Sequence, residues 1–219
     1  MRTITEIELK KIIELHKLWL ASENEDGAQA DLSNADLGGA DLRDADLSGA
    51  YLHAADLKNA SLCDADLCDA HLQNADLRAA VLRRADFRRA NLRRADLQDT
   101  DLSNANLRGA DLRGADLQYA YLRDAHLQNA DLRGANLNGA DLRDVNLSDA
   151  ILPDYEIVQD DTEIIGYKKS SEGYLITLRI DKTTKRCNSL VGRKCRAESA
   201  TVVKIEVKEG QTVTQAKSQ

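Results

Sequence analysis

Four histidines, His16, His53, His71 and His126, and four cysteines, Cys63, Cys68, Cys187 and Cys195, are the side chains here best suited to metal or nucleophilic chemistry. A zinc or dithiol centre calls for paired Cys-x-x-Cys spacing, and no two of these cysteines stand three residues apart. His53 and His71 bracket Cys63 and Cys68, but a chain that turns at fixed corners would hold such ligands apart. There is no glycine-rich phosphate loop, no Gly-x-Ser-x-Gly elbow and no His-Glu-x-x-His pair. The residues thus offer no cofactor site, no metal site and no catalytic set, and reduced, structural thiols are expected.

Charge offers more. Arg78, Arg83, Arg84, Arg88, Arg89, Arg93 and Arg94 fall within 17 consecutive residues, a basic belt suited to an anion or an acidic partner unless neighbouring aspartates absorb it. A second basic group, Lys182, Lys185, Arg186, Arg193, Lys194 and Arg196, lies in a polar stretch and could grip phosphate or an acidic surface in a salt-dependent way. Asp181 and Glu198 beside it offset part of that charge, so a solvated face is the competing reading. Residues 28–153 carry 14 basic and 21 acidic groups, and residues 154–219 carry 12 and 10, so an acidic middle precedes a mildly basic end. No run of 18 apolar residues occurs, and neither a membrane span nor a leader is expected. A cytoplasmic location is the default.

What positions these charges is a strict period of five. From Ala30 the chain reads ADLSN ADLGG ADLRD and keeps that register to residue 154. The central residue, every fifth from Leu32 to Leu152, is Leu in 24 of 25 repeats and Phe87 in the other. Two residues earlier stands Ala in 23 of 25, with Thr100 and Val145 as exceptions. A helix would step these leucines by about 140° and scatter them, and a straight strand would alternate them between faces. The chain must therefore turn once per repeat, with Ala and Leu pointing inward and the next two residues outward. Coils would stack about 4.8 Å apart.

The exceptions to Asp or Asn before the central residue are Tyr51, Ser61, His71, Val81, Tyr121, His126 and Ile151, and six of the seven lie multiples of ten apart. That spacing favours four sides per coil over three. On this count Asp36, Asp56, Asp76, Asp96 and Asp116 form one column, and Arg93, Arg113 and Arg133 another. The aspartates could present a polymer-like ladder of charge, but hydrogen bonding to the corner backbone is expected to be their main use.

Such an A(D/N)LXX array resembles the pentapeptide-repeat family. The resemblance implies a right-handed quadrilateral β-helix, here of about six coils and about 30 Å. It also implies, as one candidate partner, a type II topoisomerase, since some of these proteins imitate duplex DNA. The arginine belt speaks against mimicry, because it would repel a basic groove.

The expected organisation is mainly β. Residues 1–29 form an N-terminal α-helical cap and its connection, with a helix over 5–22 opened by a Thr5/Glu8 capping box. His16 and Trp19 on it are read as packing or surface residues. Residues 30–154 form the β-helix. Residues 155–208 form a small β domain with strands at EIIGYKK, GYLITLRI and ATVVKIEV, and Ser170 to Gly173 as a tight connection. Residues 209–219 are expected to be disordered. GYKK and GRKCRAESA also resemble a small domain that follows pentapeptide repeats in some bacterial and phage proteins. The function that follows is a non-enzymatic scaffold that binds a protein, with nucleic acid as the weaker alternative.

Overall fold

The computed structural model describes residues 1–153 throughout and, beyond them, the backbone of residues 164–169, 175–180, 186–187, 196–197 and 201–206. The chain divides into two compact units, Met1–Pro153 and Asp154–Gln219.

In the first unit each repeat makes one bridge position and one tight turn. The N–H of each repeat's opening residue donates to the preceding central carbonyl, as from Ala35 to Leu32 at 3.1 Å and from Ala60 to Leu57 at 3.0 Å. The residue before that donor has φ between 51° and 71° in all 24 repeats from Asn34 to Asp149. A positive φ at the second central residue is the mark of a type II turn, which favours Gly or Asn there. The composition follows the geometry: six Gly, five Asn and seven Asp occupy these 24 positions.

Coils join through parallel bridges between residues 20 apart, such as Asp31 with Tyr51, Tyr51 with His71 and His71 with Asn91. Each coil therefore takes four repeats. Around each bridge the backbone bonds both ways: Tyr51 N–H donates to Ala30 O at 2.9 Å and Leu52 N–H to His71 O at 2.8 Å. The leucines and alanines fill the axis, and most of them are completely buried. Phe87 takes a leucine's place with no exposure. Thr100 fits an alanine position because its hydroxyl donates to Leu97 O at 2.7 Å, which removes the cost of burying it unpaired.

The N-terminal end is covered twice. Strand β1, Arg2–Thr3, pairs in parallel with β2, Ala35–Asp36, extending one side of the first coil. Helix α1, Glu6–Ala21, follows, with Thr5 and Glu8 capping each other's backbone as the capping box requires. Its deepest side chains are Leu9 and His16. Ile12, Leu15 and Trp19, which recur near helical spacing on it, are only half-buried. Gly27 closes the return from the helix: it has φ 79°, and a Cβ there would fall 2.2 Å from Leu15 O.

In the second unit, strands β3 (Ile164–Lys169), β4 (Leu175–Ile180) and β7 (Thr201–Glu206) form an antiparallel sheet in the order β3-β4-β7. They fall on the three segments whose β-branched composition marks strands. Between β4 and β7, β5 (Arg186–Cys187) pairs with β6 (Arg196–Ala197). The 170–173 connection and the tail after residue 208 lie outside the described residues.

Candidate functional site

On the rod, the side chains that matter are those flanking each central residue. The Asp or Asn before it turns its Oδ1 onto the N–H two residues ahead, as Asp36 does with Gly38 at 3.3 Å, Asp66 with Cys68 at 2.8 Å and Asn91 with Arg93 at 3.3 Å. This bond closes an Asx-turn at the corner. The ladder Asp36, Asp56, Asp76, Asp96, Asp116 stands in register through successive bridges. It is thus held by backbone bonds first, and presents charge second.

Arginines then neutralise the outer carboxylate oxygens. Arg78 donates to both oxygens of Asp76, at 2.9 and 2.8 Å, and its Nε also reaches Asp96 at 3.4 Å. Arg113 spans Asp111 and Asp131 in the same manner, and Lys58 spans Asp56 and Asp76. Within the belt, Arg88 pairs with Asp86 in its own repeat, Arg84 with Asp64 and Arg89 with Asp69 in the preceding coil, and Arg83 with Asp101 at 3.8 Å. The guanidiniums of Arg84 and Arg89 hold the Asp64 and Asp69 carboxyls below the usual range. Five of the seven belt arginines are therefore occupied. Arg93 and Arg94 have no carboxylate partner among the described residues. Together with Gln73, Asn74 and Asn91 they line a recess of about 220 Å³.

Cys63 and Cys68 sit at outward positions in the repeat, yet both are buried and unbridged. Small side chains there are covered by their neighbours: Arg89, from the following coil, places Nη2 3.5 Å from Cys68 Sγ. Burial and the Asp69 carboxylate push the Cys68 thiol up, away from the reactive thiolate. No group of three His, Cys, Asp or Glu side chains among the described residues is arranged to hold a metal ion. No helix among them is long and apolar enough to cross a membrane.

His16 was missed by sequence reasoning as a keystone. It is fully buried, its Nδ1 accepts from Ala30 N–H at 3.1 Å, and its Nε2 lies 3.1 Å from Ser48 O. With Nδ1 accepting, the ring must be the neutral Nε2–H tautomer donating to Ser48. Its helical spacing gave no sign of this, since both partners belong to the first coil. Exposed aromatics lie further along the rod: Tyr119 and Tyr121 are 59% and 55% exposed.

In the second unit, Arg186 and Arg196 lie in paired strands, with only their backbone described. Lys182, Lys185, Arg193 and Lys194 lie outside the described residues, as does Cys195.

The model of the family described as pentapeptide repeats matches this chain in eight copies, over residues 30–69, 60–99, 70–109, 90–127 and 110–149. A second, a family of unknown function (DUF5758), matches residues 155–219. Comparison with the curated proteins gave no match. Among solved structures, HetL, a pentapeptide repeat protein involved in heterocyst differentiation regulation from the cyanobacterium Nostoc sp. strain PCC 7120, is 38% identical. The match covers 54% of this chain and 68% of that one, with a TM-score of 0.27. Rfr23 from the cyanobacterium Cyanothece 51142 is 39% identical over 46% of this chain and 64% of its own, with a TM-score of 0.29, so the match spans just under two thirds of that protein. QnrB1, a plasmid-mediated fluoroquinolone resistance protein, is 22% identical over 58% of this chain and 76% of its own, with a TM-score of 0.33.

Proposed function

Because the chain belongs to the pentapeptide-repeat family, with the repeats matched across residues 30–149, we propose that its rod is a non-enzymatic scaffold that binds a protein partner through its outward columns. The observation that carries this reading is the register of the coil. Bridges 20 residues apart fix every outward side chain above and below a counterpart. Such a surface is extended and preorganised, so the rod itself loses little conformational entropy when a partner binds. Charge on it is largely self-neutralised by Asp–Arg pairs, and Tyr119 and Tyr121 stand out as the type of side chain that anchors protein interfaces. We take the coil to be right-handed and four-sided, with the second unit as a further contact surface.

Affinity capture with the full chain tests the reading. The same protein should be recovered repeatedly, and lost when Arg88 and Arg89 are changed to Glu while the melting temperature stays within a few degrees. Failure to recover any protein, or equal recovery after charge reversal at the belt and truncation of both tyrosines to Ser, would remove it.

A second reading is favoured by one feature, the unbroken Asp36–Asp116 column: regulation of a type II topoisomerase by imitation of DNA. Absence of any effect on supercoiling at micromolar protein would exclude it.

A further inference from the structure

Most paired arginines of the rod follow one of two habits. One that stands directly after the central residue folds back onto the aspartate two residues before it, as in Arg43–Asp41, Arg78–Asp76, Arg88–Asp86, Arg113–Asp111 and Arg133–Asp131. One that stands at the following corner reaches the residue 20 earlier, as in Arg84–Asp64 and Arg89–Asp69. Arg83 and Arg123, which stand two residues after Val81 and Tyr121 rather than after an aspartate, reach Asp101 and Asp124 instead. By the first habit Arg93 should find residue 91, and by the second Arg94 should find residue 74. Both are asparagine, the neutral isostere of the expected carboxylate.

The two replacements meet in one place. Asn74, Asn91 and Gln73 share the recess with Arg93 and Arg94. The aspartate below Asn91, Asp111, is held at both oxygens by Arg113, at 2.8 and 2.5 Å. His71, above Asn91, is stacked on Tyr51 with ring centroids 5.1 Å apart. Because Asn91 Oδ1 accepts from Arg93 N–H, its NH2 is left as a donor. Arg94 also sits at φ 54°, a conformation disfavoured for any residue with a Cβ. Arg84 and Arg89 bear the same strain and make bidentate ion pairs, whereas Arg94 bears it without one.

We propose that this recess is a binding site for a phosphate monoester dianion. Two uncompensated guanidiniums match the roughly −1.5 to −2 charge of such a group near neutral pH. Their forks and the amide NH2 groups supply the donors that phosphate oxygens take. The site is one coil high. In the columns above it stand Ser33, Asn34, His53 and Ala54, and below it Arg113 and Arg133 are already paired. A nucleic-acid backbone would need a track of unpaired cations along the rod, so a single phosphate, free or carried on a side chain, is the ligand that fits. The inference is independent of the scaffold reading, since phosphate alone is a sufficient probe.

Titration of the full chain with inorganic phosphate tests it, followed by the side-chain NH2 signals of Gln73, Asn74 and Asn91 and the Nε–H signals of Arg93 and Arg94. Saturable shifts confined to these groups are expected. Asn74→Asp with Asn91→Asp rebuilds the rod's own pairing, so folding should be kept while phosphate affinity falls about tenfold or more. Arg93→Gln with Arg94→Gln should lower it similarly, and a melt of each variant checks the fold. A phosphoserine peptide that binds tighter than inorganic phosphate would place the group on a partner chain, and equal binding would make it a free anion; both outcomes keep the site. No saturable shift by about 10 mM phosphate, or unchanged affinity in the Asn-to-Asp rod, overturns it.

Discussion

Single carboxylates on the rod are tuned in opposite directions by what stands beside them. Asp41 accepts two charge-assisted bonds from Arg43, at 2.8 and 2.6 Å, and these, with the Arg43 N–H, pull its pKa down to about 2. A carboxyl depressed by folding contributes stability above its unfolded value, and that contribution is lost as pH falls from about 4 through about 2. An NMR titration should find Asp41 ionising near the lower figure, and Arg43→Gln should return it toward the ordinary aspartate value. An Asp41 that titrates like a free aspartate in the unaltered chain would show the pair to be open in solution. Asp96 goes the other way: burial pushes it up, and so do the Asp76 and Asp116 carboxylates, while the Gln98 N–H and Arg78 partly restore it. Here the sign reverses. Stability is fully present below the unfolded pKa and is lost as pH rises through the folded one. Asp96→Asn keeps the corner acceptor, as Asn91 and Asn136 do in their turns, and removes the repulsion. It should raise the melting temperature by about 1–2 °C at pH 7 and have no effect near pH 3. A variant that melts lower at pH 7 would mean that Arg78 gains more from Asp96 than the ladder loses.

At the scale of the turn and the helix, local backbone geometry decides what substitution does. Ala54, Ala79 and Tyr119 occupy corners at φ 51°, 54° and 56°, where a Cβ is strained by about 1 kcal/mol. Ala79→Gly should therefore stabilise the rod by about 0.5–1 kcal/mol in urea unfolding, although glycine in an ordinary strand would weaken it; destabilisation would mean that the strain is already relaxed. The five-residue period made the inward Ala and Leu and the existence of a corner legible in the sequence, because burial writes itself into residue type at fixed spacing. It did not give the left-handed corner, since Arg84, Arg89 and Arg94 sit there beside the expected Gly, Asn and Asp. Nor could it give the Asn74 and Asn91 substitutions any meaning, because Asn and Asp serve the corner equally and differ only in what they leave for an arginine one coil away. Helix α1 was legible from its capping box, but the role of His16 was not, for its partners Ala30 and Ser48 come from another element. Burial lowers the His16 pKa, against the pull of Asp46 and the Ser48 carbonyl, so the neutral ring is favoured in the fold. Its contribution is complete above the ordinary value of about 6.5 and is lost as pH falls from there through the depressed folded value. Trp19, stacked on His16 at 5.5 Å, is the single tryptophan of the chain and reports the change. Its emission should alter as pH falls below the ordinary histidine value of about 6.5, and His16→Gln should cost about 2 kcal/mol and abolish the transition.

Across the whole rod, stability is nearly one-dimensional: each coil bonds to the coils above and below, and the terminal coil lacks one neighbour. The first coil is completed by three devices from residues 1–28. Strand β1 donates from Arg2 N–H to Asn34 O at 2.7 Å, His16 satisfies Ala30 and Ser48, and Gly27 lets the return pass within contact of Leu15 and Trp19. Removing residues 1–27 while keeping the rest of the chain would strip all three at once. Leu32, Leu37, Leu42 and Leu47, now at most 3% exposed, would form an open apolar end rimmed by unpaired backbone groups. A surface of that kind invites pairing with another copy of itself. The truncated chain should accordingly sediment as a concentration-dependent dimer or longer species at about 100 µM, while the full chain keeps its mass over the same range. The interior coils should hold their amide protection in both, because their neighbours are untouched. A truncated chain that stays monomeric and equally protected would show that the first coil tolerates exposure, and that the helix and its histidine serve some purpose other than closing the tube.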